Sequence, residues 1–193
     1  IPENLGPDTQ TLLMDGNPLH RLDKNAFKQA GLLNLQRISL TGCQLTDVND
    51  DAFRDLKIMV ELDLSHNNLT KLRPKTFDGN DRLMTLKLSH NPIAALMLYQ
   101  FPPLRSLKSI DLSHCQISSI DRKAFMNLGG SVESVYINDN LLKNLREEVF
   151  LPLVSLKSLQ LHNNPWTCDC RLKNFRDWVV QRRLYNRPTA CFE

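Results

Sequence analysis

Three histidines recur at a spacing of 24 residues: His66, His90 and His114, each preceded by a serine. If equivalent segments stack, that spacing lines three imidazoles in a column about 4.8 Å apart. Two chemistries are open to such a column: a zinc site, or a pH response through mutual repulsion. No carboxylate or cysteine completes a ligand set in the column, so a solvated row is the plainer reading and no metal is assigned. Among the five cysteines, Cys43 and Cys115 lie inside the spaced pattern, whereas Cys168, Cys170 and Cys191 lie beyond it. Ser, His and Asp neighbour one another repeatedly. A flat ladder nevertheless supplies neither a closed pocket nor an oxyanion site. No glycine-rich phosphate loop is present, so we expect no enzyme activity and no cofactor.

The element that must position these residues is typified by MVELDLSHNNLTKLRPKTF, residues 59–77. Its apolar positions fit neither a helical period nor simple alternation. They fit the leucine-rich repeat pattern, LxxLxLxxNxLxxL closed by a phenylalanine. Leu62 and Leu64, two apart on a strand, point inward together, and Asn67 can bond backbone groups that a turning coil leaves unpaired. Asn17, Cys43, Asn67, Asn91, Cys115, Asn140 and Asn164 occupy the ladder position, at steps of 26, 24, 24, 24, 25 and 24 residues. Phe27, Phe53, Phe77, Phe101, Phe125 and Phe150 close the units and Phe175 continues the register, predicting a stacked aromatic spine. One unit cannot bury its own apolar face, so copies must stack on it.

The predicted architecture is therefore α/β: a right-handed leucine-rich repeat solenoid with one parallel β-sheet of about seven strands on its concave face. Residues 1–10 read as the remnant of an N-terminal cap, 11–164 as the repeats and 165–193 as an incomplete C-terminal cap. The extra residues after Phe27 and near Gly129–Gly130 should lengthen loops on the convex side. In the cap, Leu172, Phe175, Trp178 and Val179 show helical spacing, predicting a helix from about Leu172 to Arg183 over the open end of the last unit, with Trp166 in the core. Cys43 and Cys115 stand three strands apart, roughly 14 Å. That is too far for a disulfide, which needs Cα atoms within about 7 Å, so they read as buried thiols filling small apolar sites.

The chain has 24 Lys plus Arg against 21 Asp plus Glu, a formal net charge of +3. A dedicated nucleic-acid binder usually carries a larger basic excess, so no nucleic acid is expected. The longest uncharged stretch, about His90 to Leu104, fits the repeat and contains three prolines, which argues against a membrane span. Any membrane attachment would come from segments outside this chain.

The cap motif NPWTCDC, the spacing Leu172, Phe175, Trp178, and the later Cys191 resemble the C-terminal cap of extracellular leucine-rich repeat proteins. That resemblance implies a Cys168–Cys191 disulfide, and for Cys170 a partner outside the chain. GLLNLQRISLTGCQLTDV, VELDLSHNNL, LKSIDLSHCQI and HNNPWTCDCRLKNFRDW together resemble the Kekkon family of insect transmembrane receptors. The likeness implies an ectodomain followed by an immunoglobulin domain and a membrane span, located at the extracellular face of the plasma membrane. It also implies protein binding in neuronal or growth-factor signalling. A secreted matrix protein assembling through protein or glycan contacts is the alternative.

The strands should line the concave wall, with the residues between the buried ones facing outward. The wall reads as polar and mixed in charge, and Glu61, Asp63, Lys87, Asp111, Tyr136, Asn138, Gln160 and His162 are its candidate contact residues. Tyr136 is the one aromatic anchor. The expected partner is an extracellular protein ligand or co-receptor, with a second copy of the chain as another candidate. Asn68-Leu69-Thr70 is a glycosylation sequon, expected to face solvent. Arg171, Lys173, Arg176, Arg182, Arg183 and Arg187 make the cap basic, which reads either as a solvated face or as a site for acidic or sulfated partners.

Overall fold

Each unit crosses the sheet once, because only three residues per turn hold the extended conformation before the ladder residue bends the chain away. The computed structural model describes residues 1–192, so position 193 of the expected cap lies outside it. Strands β1 (Thr11–Leu13), β3 (Arg37–Ser39), β5 (Glu61–Asp63), β6 (Thr85–Lys87), β8 (Ser109–Asp111), β10 (Ser134–Tyr136) and β11 (Ser158–Gln160) form one sheet in that order. Every neighbouring pair is parallel and in register, so Glu61 faces Thr85 and Asp111 faces Tyr136. Two two-stranded pairs lie between crossings: β2 (Arg21–Leu22) with β4 (Asp47–Val48), and β7 (Ala95–Leu96) with β9 (Ser119–Ile120).

The middle residue of each main strand is buried, from Leu12 through Ile38, Leu62, Leu86, Ile110 and Val135 to Leu159. The expected phenylalanine spine forms two stacked runs, Phe27 to Phe77 and Phe101 to Phe175. Phe27 stacks on Phe53 at 5.5 Å and Phe53 on Phe77 at 6.2 Å, and the Phe101, Phe125, Phe150, Phe175 series continues at 5.7 to 5.8 Å. Phe192, off the repeat register, meets Phe175 edge-on at 5.7 Å and completes the core at the cap.

The ladder asparagines hold the turns. The Asn67 amide donates to the carbonyls of Leu40, Leu64 and Ser65, while its oxygen accepts from the Leu45 N–H at 3.0 Å. Asn91, Asn140 and Asn164 repeat the pattern. Cys43 and Cys115 are free, buried and confined to the donor half: their thiols point at the carbonyls of Met14 and Leu88. Burial pushes the Cys115 thiol up to about 11, which keeps it protonated and inert.

The convex insertions fall as predicted: a short helix α1 (Ala26–Gln29) runs into the first, and a single 3-10 turn at Gly129–Ser131 makes the second. The cap helix α2 spans Lys173–Gln181, slightly shorter than expected. Its Phe175 and Val179 are buried, and the Leu184 carbonyl accepts the Leu159 N–H at 2.7 Å, so the segment after α2 covers the last strand. Trp166 is in the core and donates to the Leu161 carbonyl at 3.0 Å. Cys168 is joined to Cys191 across a sequence separation of 23 residues, with Cα atoms 5.3 Å apart. Loop closure of that length contributes about 3 kcal/mol in the chain-entropy model. Cys168→Ser should therefore lower chemical-denaturation stability by about that amount, and an unchanged midpoint would show that the cap is held by packing alone.

Candidate binding surface

Period-two alternation turns the first and third residues of each strand to the concave wall; Glu61, Asp63, Lys87, Asp111, Tyr136 and Gln160 hold such positions, and Asn138 and His162 stand two residues past β10 and β11. The structure corrects how much of it is accessible. Ser65 is only 5% exposed and Asn138 and Gln160 are each 8% exposed, with Ser89 and Ser113 also buried. Adjacent copies close over one another: the Ser89 hydroxyl lies 3.1 Å from that of Ser65. Asp63 and Asp111 fold back to accept the N–H groups of Ser65 and Ser113. Gln160 is folded onto Ser158 and the Asn186 side chain, which it reaches at 2.7 Å. A serine on this row is thus part of a hydrogen-bonded layer rather than a neutral surface position.

Charges along the wall are matched internally. Lys87 lies 3.3 Å from Glu61 and 3.6 Å from Asp63, and Arg37 lies 3.6 Å from Glu61. Burial disfavours the Lys87 ammonium, but the two carboxylates outweigh it and raise its pKa. The charge that the sequence offered to a partner is already engaged at home.

The histidine column is a stack: His66 and His90 centroids are 4.0 Å apart and His90 and His114 are 4.4 Å apart, with nearly parallel planes. Parallel rings do not converge their nitrogens on one point. All three residues take positive φ, 50 to 56°, at the bend after the strand. Burial, then the flanking rings, push the His90 pKa below 6.5, while Asp111 and Asp139 act in the opposite sense. The unfolded chain then binds this proton more readily than the folded one. The stabilising contribution is present at neutral pH and is lost as pH falls below 6.5.

At the C-terminal end of the wall the surface deepens into a cleft of about 620 Å³, walled by Tyr136, Asn138, Gln160 and His162 together with Asp139 and the cap residue Arg187. Asp139 organises it. Its carboxylate accepts from the Asn138 amide at 2.6 Å and the Asn163 amide at 2.8 Å, with His114 Nε2 at 3.4 Å and His162 Nε2 at 3.9 Å. Burial favours the neutral acid, but these amides and imidazoles outweigh it and lower the pKa, so the group is ionised. His162 Nδ1 is buried with no partner among the described residues. A buried polar atom of this kind leaves a hydrogen bond to be made.

The cleft brings together Tyr136, Asn138, Gln160 and His162. It leaves Glu61, Asp63 and Lys87 in their own charge cluster several strands away and does not include Asp111 in its wall. Asp139, Asn163 and Asn186 were not among the contact residues expected from sequence, and Arg187 was read only as one of the basic residues of the cap. The first two follow the strands at the bend, where they continue the column of His66, His90 and His114. The last two come from the cap, outside the repeat altogether. Part of the basic character of the cap is matched: Arg171 pairs with Asp169 at 2.6 Å and Lys173 with Asp177 at 2.8 Å, while Arg182 lies over the Trp178 ring at 5.1 Å and keeps its charge. Asn68 is exposed at the bend after β5, its N–H donating to the Leu45 carbonyl.

A parallel solenoid whose strands line a polar concave wall, closed by a disulfide-bonded helical cap, defines a repeat-built recognition scaffold. The chain belongs to the leucine-rich repeat family: the model described as Leucine rich repeat matches residues 33–93 and 102–165. Macaca fascicularis trophoblast glycoprotein is 28% identical over 242 aligned residues, covering 100% of this chain and 57% of the relative. The crystal structure of human 5T4, the trophoblast glycoprotein, superposes with a TM-score of 0.62 at 27% identity, covering 100% of this chain and 84% of that one. Homo sapiens immunoglobulin superfamily member 10 is 43% identical over 51 residues, 26% of this chain and 2% of the relative. The TLR13–ssRNA13 complex gives a TM-score of 0.75 at 34% identity, covering 80% of this chain and 21% of that chain. The chain thus spans between 2% and 57% of the length of these curated relatives.

Proposed function

We propose that this chain is the partner-binding part of an extracellular receptor or adhesion protein, and that it takes a protein on the C-terminal half of its concave wall. The observation that carries the reading is the cleft, built jointly by the last units and the cap and holding Tyr136, the ionised Asp139 and the unpartnered His162 nitrogen. Kinship with a trophoblast glycoprotein and an immunoglobulin superfamily member supports a cell-surface setting. The finer likeness to the Kekkon receptors, with neuronal or growth-factor signalling, belongs to this proposal and rests on the quoted motifs. A glycan on the exposed Asn68 belongs to it as well, as does a bond from the exposed Cys170 to a cysteine outside the chain. Glu61, Asp63, Lys87 and Asp111 form the outlying part of the proposed contact surface, and Lys87 acts there through its pairing with Glu61 and Asp63.

The test is a binding screen of the disulfide-intact protein against extracellular proteins, followed by substitution in the cleft. Tyr136→Ala should weaken the partner by about 1–2 kcal/mol or more without lowering the yield of folded protein. Arg187→Glu should act mostly on association rate and its salt dependence. A partner whose affinity survives both changes, or one that proves to be single-stranded RNA retained at physiological salt, would overturn the reading.

A further inference from the structure

The three residues that lie two to four places before each closing phenylalanine are, Pro74 apart, polar or charged in five of the six solenoid units: Asp23-Lys24-Asn25, Asn49-Asp50-Asp51, Arg73-Pro74-Lys75, Asp121-Arg122-Lys123 and Arg146-Glu147-Glu148. The unit closed by Phe101 alone has Met97-Leu98-Tyr99. These side chains are not tucked away. Met97 is 60% exposed, Leu98 50% and Tyr99 43%, and Met126, directly after the closing phenylalanine of the next unit, is 43% exposed. Burial therefore does not account for their apolar character.

Two further features mark the segment. Tyr99 has φ of 50°, in the left-handed region, which for a bulky residue is an outlier held only where the surroundings impose it. The equivalent residue of the first unit also has a left-handed φ, 56°, and there it is Asn25, a residue that tolerates it. The surroundings that impose it on Tyr99 are visible. Gln100, buried behind the turn, accepts the Met97 N–H and donates to the Leu72 carbonyl, both at 2.9 Å. The Tyr99 N–H reaches the Lys123 carbonyl at 3.3 Å, and Lys123 Nζ lies 6.0 Å from the Tyr99 ring centroid. An apolar tip is thus presented in one fixed geometry, which lowers the entropy lost on binding.

We propose that the turn after β7, Met97–Tyr99 with Met126, is a second docking surface, and that its occupant is an acidic protein segment carrying a large apolar side chain. Charge complementarity selects that occupant. The two flanking units carry Lys75 on one side and Arg122 and Lys123 on the other. None of these three is within ion-pair range of a carboxylate among the described residues. Asp121 is the one carboxylate at the equivalent positions of the flanking units, and it accepts the Lys123 N–H at 2.8 Å; Asp50, Asp51, Glu147 and Glu148 stand one unit further out on each side. A second copy of the chain fits poorly. A two-fold axis through this unit sets each flanking unit against its counterpart on the other copy, so basic rim meets basic rim and acidic meets acidic. Met, aromatic and Arg side chains are the types enriched at protein interfaces.

The experiment selects random phage-displayed peptides on the disulfide-intact protein and measures the recovered peptides against variants. The expected peptides combine Asp or Glu with Leu, Phe or Trp and bind more weakly as salt is raised. They should lose roughly tenfold or more in affinity for Leu98→Ser and for Tyr99→Asn, with no change for Tyr136→Ala. Tyr99→Asn should melt no lower than the parent, because asparagine accepts the left-handed backbone; lost binding at undiminished stability separates a docking residue from a structural one. Recovered peptides that lack acidic residues, or that bind both variants as well as the parent, would overturn the proposal. So would sedimentation with phosphatidylserine vesicles, or a concentration-dependent dimer, if either is abolished by Leu98→Ser. Because Tyr136→Ala probes the concave cleft alone, failure of either site is distinguishable from failure of the other.

Discussion

Leu64→Asp should abolish recovery of folded protein. Leu64 is fully buried at the bend after β5, between Leu40 and Leu88, the equivalent residues of the flanking units. A carboxylate there has no cation or spare donor to meet. Burying an unpaired charge costs several kcal/mol after relaxation, which is comparable with the whole stability of a domain of this size, about 5–15 kcal/mol. The natural control is a wall residue, but the neighbouring Ser65 is unsuitable, since it is buried and hydrogen-bonded to Ser89. Ser109, half-buried on the wall between Thr85 and Ser134, is the proper comparison. Ser109→Asp should be recovered in near-parental yield. Equal loss of the two variants, read as secreted folded protein, would show that the inward and outward assignments are wrong.

The second large effect concerns the ladder. Asn91→Ala removes the acceptor of the Leu69 N–H and a donor to the Leu88 carbonyl, both in the buried coil. Leaving such groups unpaired costs about 1–3 kcal/mol apiece, so a loss of about 2–4 kcal/mol is expected in denaturant melts. The reverse change at the odd ladder positions should not be a gain. Cys115→Asn restores the common residue, yet the N–H its oxygen would accept from, that of Ile93, already donates to the Asn91 carbonyl at 2.8 Å. Pro92 lies between them, its fixed φ suited to this tight turn. The same arrangement recurs at Asn17-Pro18-Leu19, one unit before Cys43. Where no proline follows the ladder residue, as at Gln44, Asn68, Gln116 and Leu141, the next unit has asparagine. A ladder cysteine thus stands where the preceding unit has withdrawn its donor. Cys115→Asn should be neutral or destabilising alone and become favourable in a Pro92→Ala background. Additivity of the two changes in a double-mutant cycle would refute the coupling.

Much of this molecule was legible as a repeat. The inward leucines, the phenylalanine spine, the ladder turns and the parallel seven-stranded sheet follow from spacing, because each unit must present the same apolar face to an identical neighbour. The chain alone also determined that Cys43 and Cys115 stand too far apart to pair, since strand spacing fixes their separation. The pairing of Cys168 with Cys191 came from resemblance to known caps, and the structure contains it. What spacing could not decide was accessibility. Ser65, Asn138 and Gln160 alternate correctly to the wall, but serine-to-serine bonding, inturned aspartates and the cap loop bury them. Lys87 looked like a charge on offer until Glu61 and Asp63 were found beside it. The cleft depends on Asp139 and Arg187, one at a bend and one in the cap, and only the packing of the cap against the last unit brings them to one place. Alternation reports which side of a strand a residue faces. Its neighbours from other turns decide whether it is reachable from solvent, and that is a property of the assembled solenoid.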